Sequence, residues 1–225
     1  MIEFTEYRIQ RGFERIQKLV EIVGDRGYIA GSYAAHMAAY NGDHIIAPND
    51  IDIFAVSDVD AEGIIRDLKL GGMIVDKHNA IAVTLSAHKS TENPICDMDI
   101  QIIKPNPNWQ TDQQGFRDDL LNSFDFNVCR AFLDGDKIIG DIEIGSQTGR
   151  VLRVANPVRT MKRIMKYRDR GVEFSDWELC KVFLAFGELS DERLKEITDS
   201  AQPQPADDYD EHYEWYDDDD YFNAE

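Results

Sequence analysis

Between residues 5 and 23 the apolar positions Ile9, Phe13, Ile16, Val20 and Val23 recur at steps of four, three, four and three, so this segment is predicted to be a helix with one apolar face. Gly24 and Gly27 offer its stop. Tyr28 to Ala30 reads as a short strand, followed by Gly31-Ser32 and an Ala-rich helix over 33–40 that Asn41-Gly42 breaks. From Asp50 to Val56 the pattern changes to alternation: Ile51 and Ile53 take one face, Asp50 and Asp52 the other. A helix over Val59–Leu70, closed by Gly71-Gly72, and a strand over Ala80–Ser86 come next. The run 95–103, ICDMDIQII, is a further strand with Asp97, Asp99 and Gln101 on one face and Met98, Ile100 and Ile102 on the other. A polar helix from about 112 to 122 precedes a hairpin at Asp134-Gly135. Asn156-Pro157 supplies an N-cap and a first-turn proline for a helix with Val158, Met161, Ile164 and Met165 on its packed side. Residues 175–199 read as two short helices with Leu179, Val182, Phe183 and Phe186 inward. Strands interleaved with helices in this order predict an α+β fold, a mixed sheet flanked by helices with a helical C-terminal part. The division expected is 1–150 for the sheet domain, 151–200 for the helical region and 201–225 for a linker and acidic tail.

Composition adds a bound and an asymmetry. With 225 residues, 43% of them hydrophobic, the chain can bury a sizeable core. No apolar run reaches membrane-spanning length and the first residues, MIEFTEYRIQRGFERI, lack a signal-peptide stretch, so a cytoplasmic protein with no membrane partner is expected. Cys96, Cys129 and Cys180 are far apart, odd in number and without metal-ligand spacing, which reads as buried thiols in a reducing compartment. The net charge of −19 is unevenly spread. Ten acids and no Lys or Arg fall in 207–225, whereas Arg150–Arg170 holds eight cations and one acid, Asp169. Of these cations Arg159, Lys162, Arg163, Lys166 and Arg170 share about a third of a helical circumference. The tail, with too few aliphatics to fold alone, is expected either to dock on this stripe in a salt-sensitive way or to remain a solubilising polyanion.

The candidate chemistry lies where these patterns meet. A Gly-Ser turn opening a helix presents backbone N–H groups and a hydroxyl to an anion. Asp50 and Asp52 on one strand face, with no Lys or Arg close in sequence, call for a divalent cation. The second carboxylate strand offers Asp97 and Asp99, of which Asp99, in mid-strand between Met98 and Ile100, is the preferred third carboxylate.

Strand, Gly31-Ser32, helix, then Asp50-Ile51-Asp52 on a second strand resembles the nucleotidyltransferase superfamily, which includes tRNA CCA-adding enzymes and poly(A) polymerases. The run Phe124–Cys129 resembles the R-D-F-T-I-N segment of CCA-adding enzymes, with Asp125 and Phe126 matching and Phe124 and Cys129 departing from it. It is more similar to viral and phage proteins of the superfamily that carry IQII followed by FDF and a Cys. Asn156-Pro157-Val158-Arg159 resembles the family's D-P-x-R segment, matching at Arg159 and Lys162. The resemblance implies transfer of a nucleoside monophosphate from an NTP to a hydroxyl of RNA, protein or a small molecule. It implies Asp50, Asp52 and Asp99 as ligands of magnesium or manganese, and Gly31, Ser32, Asp125, Arg159 and Lys162 as nucleotide-binding residues. Two other readings stand beside it: a catalytically silent nucleotidyltransferase-like regulator, and a metal-dependent glycosyltransferase, which shares Asp-x-Asp but needs no Gly-Ser turn. Oligomeric state is left open.

Overall fold

The computed structural model describes residues 5–8, 13–38, 48–87, 98–141 and 147–200. Eight strands form one sheet: β1 (Thr5–Arg8), β2 (Gly27–Ala30), β3 (Asp50–Ala55), β4 (Met73–His78), β5 (Ala82–Ala87), β6 (Asp99–Ile103), β7 (Ala131–Asp134) and β8 (Lys137–Gly140). Their order is β1-β8-β7-β2-β3-β6-β5-β4. The β3–β6 pair is parallel and the other pairs are antiparallel, so the sheet is mixed as expected.

Alternation decides what each face covers. Ile29, Ile51, Ile53, Val83, Ile100, Ile102 and Leu133 point to one side and pack with α1 (Phe13–Val23), α2 (Ser32–Ala38) and α3 (Asp58–Leu70). Ser57 caps α3 by accepting from the Asp60 amide at 3.1 Å. On the other side Tyr28, Ala30 and Phe132 meet an aromatic core from α4 (Gln113–Ser123), α5 (Pro157–Arg168) and α6 (Asp176–Gly187), including Phe116, Phe126, Ile164, Tyr167 and Val182. Two-residue strands β9 (Thr148–Gly149) and β10 (Glu173–Phe174) pair in parallel beside it. The described residues up to Leu189 form one compact unit, and those from Ser190 to Ser200 belong to a second. Within the second, α7 (Asp191–Ser200) opens behind Ser190, whose hydroxyl accepts from the Arg193 amide at 3.2 Å.

Several elements follow their local signals. The hairpin turns through Gly135 (φ +62°) between Asp134 and Lys137, which pair across it. Asn156 caps α5, its Oδ1 accepting from the Arg159 amide at 3.0 Å, with Pro157 in the first turn. Other expectations are corrected. Residues 5–8 are strand rather than helix because Thr5–Arg8 pairs with β8, more than a hundred residues away, and no periodicity reports such a partner. The strand β4 was not anticipated; only Met73 of its six side chains is buried, so an edge strand shows no alternation. Phe183 and Met165 are each 61% exposed rather than inward, and on α6 Glu178 turns in beside the expected Val182, accepting from the Val151 amide at 2.6 Å and pairing with Lys181 at 2.8 Å. Cys129 is buried but Cys180 is exposed. The Asn41-Gly42 break, Cys96, Asp97, the linker and the tail lie outside the described residues.

Candidate functional site

The turn after β2 depends on glycine. Gly31 has φ +80°, and a Cβ there would stand 3.2 Å from Asp52 Oδ2 and 3.8 Å from the Phe124 ring. Its carbonyl accepts from the Ala35 amide at 3.0 Å, starting α2, and its amide donates to the Ala131 carbonyl at 2.9 Å. That second bond commits the Gly31 amide to β7 and so removes it from the N–H groups expected to face an anion here, and Ser32 lines the cleft. Gly31→Ala is therefore expected to lower stability by about 1–3 kcal/mol through backbone strain while displacing the Asp52 carboxylate. Thermal unfolding, run with and without magnesium, checks both parts, because a displaced carboxylate would also shrink the stabilisation expected of a cation held there.

Asp50, Asp52 and Phe54 share the cleft face of β3, while Ile51, Ile53 and Ala55 are fully buried behind them. The parallel register sets Asp50 level with Asp99 and Asp52 level with Gln101. Gln101 Nε2 donates to Asp50 Oδ2 at 2.8 Å, fixing one oxygen of the pair. Burial, reinforced by the neighbouring Asp50 charge, pushes the Asp52 carboxyl up to about 7; Arg163, Lys166 and Arg159 act in the opposite direction without cancelling it. A half-buried carboxylate under that penalty suits a small hard cation, and magnesium needs only one or two carboxylates when substrate phosphates complete its shell. Asp99 is exposed and does not line the cleft, and no group of three or more His, Cys, Asp or Glu is placed to hold a metal among the described residues. Gln101, noted in the sequence only as sharing that strand face, is the β6 residue level with Asp52.

Across the cleft stands α5. Pro157, Thr160, Ile164 and Tyr167 are buried, which turns Arg159, Arg163 and Lys166, at i, i+4 and i+7, toward the aspartates. Lys162 is exposed on the same helix and does not line the cleft. Arg163 is the most constrained of the cations. Its Nη1 donates to Asp125 Oδ2 at 2.8 Å, its Nη2 to the Tyr167 hydroxyl at 3.4 Å, and its guanidinium lies 5.2 Å from the Phe126 ring centroid. Asp125 thus meets an arginine, and its carbonyl accepts from the Leu152 amide at 2.8 Å. Asn127 extends the clamp, accepting from the Arg150 amide at 2.6 Å. Burial pushes the Cys129 thiol up, so this cysteine is a packed neutral neighbour of Arg163.

Gly31, Ser32, Asp50, Asp52, Asp125 and Arg159 therefore converge on one cleft of about 650 Å³, whereas Asp99 and Lys162 stay outside its lining. That volume falls in the range of small-molecule sites. Arg163 and Lys166 were legible as members of the cationic stripe; that they and Arg159, rather than Lys162, line the cleft is decided by the seating of α5. No protein-family profile matches the chain, and no characterised protein matches it by sequence. Among solved structures it is similar to a CCA-adding enzyme in complex with CTP, at TM-score 0.53 and 18% identity over 88% of this chain and 51% of that one. An apo CCA-adding enzyme matches at TM-score 0.51 and 17% identity over 84% of this chain and 46% of that one. The chain spans about half the length of these structures, and the likeness is one of fold.

Proposed function

We propose that the protein is a nucleotidyltransferase that moves a nucleoside monophosphate from an NTP to a hydroxyl acceptor with a divalent cation, magnesium or manganese. The observation that carries this reading is the confrontation, across one cleft, of the Asp50–Asp52 pair with Arg159, Arg163 and Lys166. Carboxylates on one wall and cations on the other match a triphosphate whose α-phosphate is attacked at the acidic end while its β- and γ-phosphates are held at the basic end. Ser32, beside the aspartates, adds a hydroxyl donor.

The acceptor oxygen forms a bond to the α-phosphorus and gives up its proton to solvent, the bond to the β-phosphate oxygen breaks, and pyrophosphate leaves with that electron pair. Asp50 and Asp52 would hold the cation, which would supply charge neutralisation at the α-phosphate and lower the cost of ionising the acceptor hydroxyl. Gln101 keeps the Asp50 carboxylate oriented by its 2.8 Å bond. Asp125 and Tyr167 keep Arg163 in one pose, so its charge is in place before the leaving group develops its own. In this reading Asp99, level with Asp50 at the rim, joins the acidic set from outside the cleft lining, and Lys162 contributes only long-range charge. Most of the work is positioning and neutralisation.

The test is to incubate the purified protein with each α-labelled NTP, magnesium and, in parallel, total cellular RNA, total protein and a small-molecule extract. Transfer of label with matching pyrophosphate release is the expected result. Tight NTP binding with no transfer to any pool would favour the silent, regulatory reading, and failure of all four NTPs to bind would overturn both.

A further inference from the structure

The wall of the cleft away from α5 has a chemistry of its own. Along the face that carries the aspartates, cross-strand neighbours form two rungs. Asp52, Gln101 and Thr84 make a polar rung across β3, β6 and β5, and Phe54, Ile103 and Ala82 make the next one, wholly apolar. Rungs two residues apart are separated by about 7 Å, roughly the width of one ring. The apolar rung runs on into Phe124, whose ring centroid is 5.9 Å from that of Phe54, and into Ile81 at the rim.

Ile81 is 66% exposed, yet its backbone is tightly held. Asn79 Oδ1 accepts from the Ile81 and Ala82 amides at 2.8 and 2.9 Å, the Asn79 amide donates to the Ala82 carbonyl at 3.0 Å, and the Lys104 amide donates to the Ile81 carbonyl at 2.9 Å. Single exposed aliphatics are ordinary. This one is pinned on both sides of its turn and continues an apolar surface that leads to the carboxylates. Among the described residues, the side chains that line this wall beyond the aspartates carry no charge; Lys77 turns to Asp76 at 3.9 Å, and Lys104 does not line the cleft. Of the cations that line the cleft, Arg159, Arg163 and Lys166 lie on α5, across from this wall, and Arg153 stands in the segment that leads into α5.

We propose that the apolar rung with Ile81 is the acceptor subsite, and that the acceptor is an uncharged molecule whose hydroxyl is borne on an apolar or aromatic body rather than a polynucleotide. The proposal rests on the nucleotidyltransferase reading. A polynucleotide acceptor would bring its phosphates against a wall on which the described residues place no cation, next to two carboxylates, whereas phosphate neutralisation by Lys and Arg supplies most nucleic-acid affinity. An aromatic or aliphatic body over Phe54, Ile103 and Ala82 would instead bury apolar surface and leave its hydroxyl at the Asp52 rung.

Isoleucine methyl NMR on the full chain tests this, with Ile81→Val and Ile103→Val used to assign the two signals and arginine side-chain signals followed in parallel. The probes are the four NTPs with magnesium, N-acetyl-tyrosinamide and 2-phenylethanol as neutral hydroxyl compounds, and a short single-stranded RNA with a free 3′ end. With NTP present, the neutral probes are expected to shift both methyls, RNA is not, and Ile81→Asp is expected to weaken neutral-probe binding about tenfold with NTP affinity retained. Shifts of the Ile81 methyl with RNA, shifts of both methyls with NTP alone, or no shift with either neutral probe would each overturn the proposal. Arginine signals unmoved by every NTP would instead sink the nucleotidyltransferase reading beneath it.

Discussion

Replacing Asp52 by asparagine is expected to abolish transfer and, when no divalent cation is present, to stabilise the protein. In the native fold burial and the Asp50 charge push the Asp52 carboxyl up to about 7, against 3.8 for an unperturbed aspartate. The folded state therefore binds a proton more tightly than the unfolded chain does. The stability that this protonation contributes is fully present below about pH 4 and is lost as the pH rises through about 7. Asparagine carries no charge at any pH, so the variant should lack this slope. At pH 8 it should exceed the parent by on the order of 1–2 kcal/mol after solvent screening, or about 3–6 °C in Tm. Magnesium should reverse the ranking, raising the parent's Tm and leaving the variant's nearly unchanged. Turnover should fall about 10³-fold, the scale of losing several kcal/mol of charge stabilisation at the phosphate. Thermal scans from pH 4 to 8 with and without magnesium, alongside a labelled-NTP assay, check each part. Parental turnover in the variant would remove Asp52 from the chemistry. Asp99→Asn is the companion measurement: a loss as large as that of Asp52→Asn would place Asp99 in the cation-binding set, and one within about tenfold would leave the pair on β3 to act with Gln101.

How far the sequence disclosed this site depended on whether the signal was local. Alternation over Asp50–Ala55 separates Ile51 and Ile53 from the two aspartates without reference to any other strand, because a half-buried strand writes its two faces into consecutive residues. Asn156-Pro157 and Asp134-Gly135 are similarly local, one a cap and the other a turn. Edge strands are the opposite case. Residues 5–8 and 73–78 are held by backbone pairing at the two edges of the sheet, and along 73–78, where only Met73 is buried, the side chains carry little of the pattern that pairing produces in a central strand. In the cleft, the cationic stripe on α5 was visible, but which of its members face the aspartates is decided by how Ile164 and Tyr167 seat the helix against Phe126 and its neighbours. The Gly31 amide shows the same limit: a Gly-Ser turn signals an available donor, and only the approach of β7 shows that Ala131 takes it. The Asp125–Arg163 pair joins residues 38 apart, beyond the reach of any motif spacing.

That pair also gives the sharpest separation between structure and catalysis. Arg163→Gln removes a charge from the cleft and leaves the Asp125 carboxylate, largely buried with a side-chain exposure of 14%, without its partner. Stability should fall by about 1–3 kcal/mol, and kcat/KM by about 10²–10³-fold if the guanidinium steadies the leaving pyrophosphate. The single variant cannot apportion these effects, since a loosened α5 would also misplace Arg159 and Lys166. Adding Asp125→Asn resolves them. The double variant no longer buries an unpaired charge, so most of the stability should return, whereas turnover should stay low because the cleft still lacks the cation. Asp125→Asn alone keeps the arginine but loosens it, and it should lower kcat by about tenfold, with a smaller effect on KM, as expected for a residue that acts by holding another in place. Recovery of turnover together with stability in the double variant would show that Arg163 is a structural anchor for α5, leaving Arg159 and Lys166 as the cations that face the triphosphate.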